Sequence, residues 1–305
     1  MTITLTYQNA ISVNSRDFKV YSMNADDCEF ERRCYGEAFT GNLIENPLGY
    51  RRIVGIDFEP LQDDKEALFF LFAWCTAKIK RITYFINADC LFVDQEQATG
   101  TSTVTVSYLK TDLSFLHDKN AFFANSFTIE AIESRTSFII DDGSTKILKP
   151  VYGPAGVGID GGTFTCYVNL VDQSSIEIHK YPVKYLRGDP ETLDFGYRHL
   201  LSIDTGAIID PVQREWLRDF CLWKNKKIDT TGIDPYNGKV FDVVCADEKL
   251  AWQFINGVEG AKTTHLLFKE KNLRLTIEQY TRPPSSQRKF TLDTDQFDDS
   301  TVQIG

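Results

Sequence analysis

The sequence is short of the residues that usually carry chemistry. Only four histidines occur in 305 residues, at 117, 179, 199 and 265. None stands in His-x-x-x-His or His-Glu-x-x-His spacing, so a hydrolytic metal has no scaffold. His179 and His199 lie in or beside strand-like runs and read as hydrogen-bonded structural rings. There is no Gly-x-Ser-x-Gly elbow, and no cysteine has an activating neighbour. The seven cysteines (28, 34, 75, 90, 166, 221, 245) are odd in number and scattered, and several sit in apolar patterns. That usage suits a reducing compartment, where a buried thiol acts as a small hydrophobe. Cys28 and Cys34 lack the Cys-x-x-Cys or Cys-His company that zinc requires. No catalytic residue, cofactor site or metal site is therefore assigned, and the chain is read as not an enzyme.

Long apolar runs are missing too. The longest, Ala67 to Cys75, has nine residues, against the roughly 20 needed to cross a bilayer as a helix. The start, Met1 to Tyr7, alternates like a strand and has neither the basic opening nor the apolar block of a signal peptide. The expectation is a protein made in the cytoplasm, without membrane insertion. Positive charge is in deficit, with 33 basic against 43 acidic residues for a net charge of −10. A general grip on nucleic acid or an anionic membrane needs clustered Lys and Arg, so neither partner is expected.

What is present is enough apolar material for two cores, 42% hydrophobic and 13% aromatic, in a chain long enough for two domains. It also holds an internal repeat. Gly49 to Asp57 (GYRRIVGID) aligns with Gly196 to Asp204 (GYRHLLSID). After one residue is dropped the match continues: Leu71 with Leu217, Trp74 with Phe220, Cys75 with Cys221, Lys80 with Lys226, Arg81 with Lys227 and Ile82 with Ile228. Each Gly-Tyr-Arg block alternates as a strand. A helix follows in each copy. Asp210 is an N-cap and Pro211 suits the first helical position, with Val212, Trp216, Leu217, Phe220 and Trp223 at helical spacing. In the first copy Pro60, Asp63 and Asp64 open the equivalent helix, which passes Leu68, Leu71, Phe72 and Cys75 to a basic end at Lys78 and Lys80.

Both helices lead into strands, Ile79 to Ile86 and Lys227 to Thr231. Each unit is expected to close on an alternating run, Thr103 to Tyr108 in one and Asn272 to Glu278 in the other. The second copy then carries an insertion before its closing strand, in which Ala251 to Gly257 reads as a short helix. Further strands are expected at Asp17 to Ser22, Phe164 to Asp172, Ile176 to Tyr185 and Thr136 to Ile140. The fold class is mainly β with flanking helices (α+β): two tandem related β-sandwich or barrel units, each with one helix packed on its sheet. Residues 1–115 form the first unit, 116–280 the second, and 281–305 a polar C-terminal arm after Arg282-Pro283-Pro284.

The glycine-rich stretch Gly153 to Gly162 leads into Thr163 to Val168, a strand. A phosphate cradle requires a helix there, so the stretch reads as a loop or hairpin tip. The acidic pairs Asp26-Asp27, Asp63-Asp64, Asp141-Asp142 and Asp298-Asp299 are adjacent in sequence and read as turn and cap residues. Tyr50, Arg51 and Asp57 with Tyr197, Arg198 and Asp204 are kept in both copies. They read as structural repeat positions, with a buried Arg and Asp pair fixing the register of each unit.

The Gly-Tyr-Arg strand, the helix with Trp and Phe inside, the basic exit and the closing strand together resemble the tail-tube-like domain of tailed bacteriophages and contractile injection systems. The residues that carry the likeness are Gly49 to Asp57 with Leu71 to Ile82, and Gly196 to Asp204 with Pro211 to Ile228. The long tube hairpin of that family has no identified counterpart in the sequence, and no lysozyme or peptidase segment accompanies the units. The resemblance implies a structural part of a virion tail, of the distal-tail or baseplate-hub type. Its partners would be copies of itself in a trimeric or hexameric ring and other tail or baseplate proteins. Two units per chain suit three chains around a sixfold tube. The alternative is a β-sandwich module that binds carbohydrate or a host receptor, for which Trp252 is the one Trp not placed on a helix.

Overall fold

The computed structural model describes residues 2–38, 40–61, 64–86, 100–108, 117–118, 121–122, 127–183, 191–233, 238–254 and 260–275. The chain is mainly β, with two helices of 12 residues each among the described residues. Neither is long and apolar enough to cross a membrane. By contact density the chain divides into one unit of Met1–Ser175 with His199–Asn272, and a second of Ile176–Arg198 with Leu273 and the residues after it.

In the first unit, β1 (Thr2–Gln8), β2 (Val13–Glu37), β3 (Leu43–Phe58), α1 (Lys65–Thr76), β4 (Ile79–Ile86) and β5 (Gly100–Tyr108) come first. The two-residue pair β6 (His117–Asp118) and β7 (Ala121–Phe122), β8 (Phe127–Glu133) and β9 (Ser137–Phe138) follow. The order β2-β1-β4-β5-β8-β3 closes through a β2–β3 pairing into a barrel, with β9 added beyond β3. Its core is filled by alternate residues, among them Leu5, Val54, Ile56, Phe58, Ile82 and Ile129, with Leu71 and Trp74 of α1 laid across them.

A second closed arrangement uses β10 (Lys146–Val151), β11 (Gly158–Asp160), β12 (Thr163–Val183), β13 (Glu191–Thr205), α2 (Pro211–Leu222), β14 (Lys226–Asp229) and β15 (Val240–Cys245). The short β16 (Lys249–Leu250), β17 (Gln253–Phe254) and β18 (Ala261–Lys262) precede β19 (Leu266–Glu270) and β20 (Arg274–Leu275). The order here is β12-β10-β14-β15-β19-β13, closed by β12–β13, with β11 on the outside of β12. Leu148, Phe164, Leu201, Ile203 and Phe268 fill it beneath Leu217 and Phe220 of α2.

Strand β2 is far longer than the usual five or six residues and works by changing phase. Phe18 and Val20 face the first core, then Met23 and Ala25, then Cys28 and Phe30 are buried. The switch from even to odd and back coincides with register shifts against β3 between Val20 and Ser22 and between Asn24 and Asp27. One extra residue in a strand turns every later side chain over and bends the strand. Cys28, Phe30 and Tyr50 consequently leave the first core and join the second.

Both helices are capped as their sequences predict. Asp210 accepts from the Val212 N–H at 2.9 Å ahead of Pro211, and Asp64 accepts from the Ala67 N–H at 2.8 Å. The basic ends work differently from the expectation. Lys80 belongs to β4, not α1, and its buried ammonium donates back to the Cys75 carbonyl at 2.6 Å. Lys226, at the matching place in β14, donates to the carbonyls of Cys221 at 2.9 Å and Trp223 at 2.8 Å. Each satisfies helix-end carbonyls that have no intrahelical partner.

Several sequence expectations need correction. The boundary at 115/116 cuts the first barrel, because β8 and β9 both pair with β3. Thr103–Tyr108 is an interior strand between β4 and β8, and the closing strands are β8 and β19. The runs expected at Phe164 to Asp172 and from Ile176 on belong to one strand, β12. Within the run Ala251 to Gly257, expected as a helix, Gln253–Phe254 is a strand that pairs antiparallel with Ala261–Lys262, and 255–257 lie outside the described residues. Asp26 and Asp27 lie in β2, not in a turn. Asp141 and Asp142 do make turns, accepting from the N–H of Gly143 and of Ser144 at 2.8 Å each. The arm 281–305, Asp63 and the Asp298-Asp299 pair lie outside the described residues.

The second unit contains the later part of β12 and the earlier part of β13. Arg198, 1% exposed, lies with its Nε 3.3 Å from Glu177. Gly196 and Tyr197 pair with Leu275 and Arg274 of β20.

Candidate assembly surface

The most heavily built polar feature of the first unit is the seam where the outer half of the β2–β3 hairpin meets the second barrel. The short strand β16 pairs antiparallel with β2, Leu250 opposite Cys28 and Lys249 opposite Glu29. The Phe30 N–H donates to the Glu248 carbonyl at 2.8 Å and the Leu43 N–H to the Lys271 carbonyl at 2.9 Å. The hairpin is thus added to the second barrel as a strand is added to a sheet edge, with backbone bonds giving strength and inserted side chains giving specificity.

Charge is buried along the same seam. Glu45 sits between Arg32, whose Nε is 3.0 Å away, and Lys226, whose Nζ is 2.5 Å away. Their side chains are 3%, 9% and 0% exposed respectively. Arg32 also donates to the carbonyls of Cys245 and Asp247 at 3.1 and 2.6 Å. Higher on the hairpin Asp26 faces Arg214 at 3.3 Å, and Arg214 donates to the Ile208 and Ile209 carbonyls. Burial pushes the Asp26 carboxyl above its usual range, against the pull of Arg214 and Arg52. Asp27 accepts from the Trp252 N–H at 2.8 Å, and the Arg218 guanidinium lies 4.1 Å from the Tyr50 ring. A cavity of about 60 Å³ remains among Asp26, Cys28, Tyr50, Arg214, Arg218 and Trp252. Ligand sites are commonly several hundred Å³, so this gap has the size of a packing defect.

The repeat residues fall on both sides of these contacts. Tyr50 is buried under Arg218. Arg51 pairs with Glu31 at 2.6 Å and Glu29 at 3.9 Å. Asp57 accepts from the Ser22 and Thr128 hydroxyls at 2.6 and 2.7 Å, and Asp204 from the His265 N–H at 2.6 Å. The expected Arg and Asp pair does not form in either copy. Six residues of extended strand hold the two about 20 Å apart, and each finds its partner across a neighbouring strand instead. Tyr197 is half-buried in the second unit, opposite Arg274.

No group of three His, Cys, Asp or Glu among the described residues is placed to hold a metal. Burial pushes the thiols of Cys28 and Cys166 up to about 12 and Cys75 to about 11, which suppresses the nucleophilic thiolate. His199 is buried edge-on against Phe241, 5.4 Å between ring centres. The glycine-rich stretch ends in a tight β11–β12 turn, Asp160 opposite Thr163, with no helix to offer an anion its N-terminus. All four Trp are buried, at 0%, 9%, 6% and 5% exposure for 74, 216, 223 and 252, so Trp252 presents no face to a sugar.

Sequence reasoning missed Arg32, Glu45 and Asp26, which share no motif with their partners. The repeated Lys80 and Lys226 were the available signal, since a lysine kept at a strand entrance in both halves marks a position with a structural task. No protein-family model matches the chain, and no curated protein is similar to it.

Proposed function

We propose that the chain is a structural component of a phage-like tail, a ring or adaptor that joins tail tube to baseplate or fibres and works through protein interfaces. The observation that carries this reading is an internal duplication to which the strand registers point. In β3 and β8, Ile56 opposes Ile129 and Val54 opposes Ala131; in β13 and β19, Ile203 opposes Leu266 and Leu201 opposes Phe268. Ile82 opposes Val104 as Ile228 opposes Phe241. Val106 opposes Glu133 as Val243 opposes Glu270. Gly49 opposes Phe138 as Gly196 opposes Leu275.

One constant offset relates the later partner of all these pairs. The strand order around each helix corresponds as well. Aligned so, the extra length lies in the first half, between β4 and β5, and the insertion expected in the second half disappears. Among the described residues the leading strand departs from this correspondence. β1 is antiparallel to β2 and β4, whereas β10 is parallel to β12 and β14, with Leu5 and Leu148 still opposite Ile82 and Ile228. A barrel with one flanking helix, twice per chain, is the arrangement that the tail-tube resemblance implies.

The test is negative-stain microscopy with mass photometry of the full-length chain. A closed ring with sixfold or pseudo-sixfold appearance is expected. A chain that stays monomeric at high concentration and brings down no tail protein from infected cells or an expressed tail cluster overturns the proposal. The carbohydrate alternative loses its one candidate, Trp252, to burial.

A further inference from the structure

The seam shows how the rim of one barrel holds an extended strand, and the other barrel has a matching rim. On the second barrel two anchors are used. The Lys271 carbonyl accepts from the Leu43 N–H at 2.9 Å, and two residues further on Glu45 meets the Lys226 ammonium at 2.5 Å. Strand registers carry both anchors onto the first barrel. Lys80 donates to the Cys75 carbonyl as Lys226 does to that of Cys221. The Ser134 N–H bonds the Thr105 carbonyl at 2.9 Å, as the Lys271 N–H bonds that of Asp242 at 2.7 Å. Ser134 is thus the counterpart of Lys271. Among the described residues no donor reaches the Ser134 carbonyl, and no carboxylate pairs with Lys80.

A groove lies beside each pair of anchors. In the first barrel Lys78, Arg81 and Arg135 line a volume of about 660 Å³, where the second has Lys224, Lys227 and Asn272 around about 260 Å³. Charge separates the two. In the second groove Glu45 neutralises Lys226, and Asp242 pairs with Lys227 at 3.4 Å. In the first, Arg81 stands opposite Thr105. Lys78, Arg81 and Arg135 are exposed there, with no ion pair among the described residues. The acid in that lining, Glu133, accepts from the Arg52 N–H at 3.1 Å.

Exposed cations alone are commonly no more than a solvated surface. Lys80 is different, being 6% exposed. Burial holds its ammonium below the ordinary lysine range. Buried charges are normally paired, as Lys226 is, and this one has a carbonyl and the Trp74 ring instead. On a chain of net charge −10, four cations without a carboxylate therefore gather at one rim.

We propose that this groove of the first barrel binds an extended acidic segment of another protein, which donates a backbone N–H to the Ser134 carbonyl and sets a carboxylate two residues further on against Lys80. Lys78, Arg81 and Arg135 draw further acidic side chains to the rim. Backbone bonding supplies strength and the carboxylate supplies selection. A second copy is not the occupant, because the segment of this form, Leu43 to Glu45, is already seated in its own seam. The proposal rests on the register correspondence that carries the reading above, and not on closure of a ring.

The probe is a dye-labelled peptide copying Gly41 to Leu48, titrated with the full-length chain and followed by fluorescence polarisation. The second groove is closed by a segment of the same chain at far higher effective concentration, so added peptide reports on the first. Saturable binding is expected. It should weaken about tenfold or more for a peptide carrying Glu45→Gln, for the Lys80→Met protein, and for a protein with Arg81→Ser and Arg135→Ser at exposed positions. Circular dichroism and melting of the last protein should match the wild type. No saturation at millimolar peptide, equal binding of the two peptides, or undiminished binding by the folded variants overturns the proposal. Self-association of the chain that is lost with Arg81→Ser and Arg135→Ser gives the groove to a second copy and overturns the occupant named here. A peptide that fails to bind leaves the ring test standing, and a chain that forms no ring leaves the peptide result standing.

Discussion

Glu45 offers a sharp test of how the hairpin is fastened to the second barrel. Glu45→Gln keeps the shape and removes the charge that lies 2.5 Å from Lys226 and 3.0 Å from Arg32. Removing one partner from a buried ion pair typically costs about 3–5 kcal/mol, because the other charge stays buried without compensation. Here both cations keep carbonyl acceptors, Lys226 those of Cys221 and Trp223 and Arg32 those of Cys245 and Asp247. The low end, about 3 kcal/mol, is therefore expected. At about 2 °C per kcal/mol for a chain of this size, the melting temperature should fall by about 6 °C. Calorimetry of Glu45→Gln, Lys226→Met and the double variant completes the cycle. The double variant should lose well under the sum of the single losses, since it leaves no unpaired charge at the pair itself. Additive losses, or a Glu45→Gln protein within about 0.5 kcal/mol of wild type, would refute the network as described.

Two further outcomes follow from packing and burial. A Cβ on Gly49 would lie 2.2 Å from the Ser137 carbonyl oxygen, and one on Gly196 2.6 Å from that of Arg274, whereas one on Gly36 meets nothing within 4 Å. Gly49→Ala and Gly196→Ala should each lose about 1–3 kcal/mol of stability in urea titrations, with Gly36→Ala a near-neutral control; equal effects at all three would show that the close strand approach is not real. Mass-spectrometric alkylation of the native protein at pH 8 should modify exposed Cys34 well before Cys28, Cys166 and Cys221, which are buried with raised thiol pKa values; simultaneous labelling would contradict the packing of both cores.

The parts of the fold legible in the sequence were those fixed by neighbours along the chain. Asp210-Pro211 and the spacing of Trp216, Leu217 and Phe220 place α2 because capping and the helical period are local. The Gly-Tyr-Arg strands read correctly because alternation is local too. The closing strands did not. Phe127–Glu133 alternates as clearly as Thr103–Tyr108, with Ile129 and Ala131 buried, but alternation does not say which strand pairs with which. The seam was less legible still, since Glu45 and Lys226 stand 181 residues apart. Nor did the sequence reveal that β2 is one strand. Its apolar phase flips twice, and a period-2 reading breaks it into pieces at the bulges that allow it to bend.

That strand has a consequence for how the molecule comes apart. The inner part of β2 contributes Phe18, Val20 and Met23 to one core, and its outer part contributes Cys28 and Phe30 to the other. Peeling it away exposes apolar surface in both places at once, so neither barrel can melt while the other stays intact. The two barrels then behave as a single cooperative block in denaturation, and a fragment cut at the midpoint of the chain inherits an orphaned ribbon with its greasy side in water.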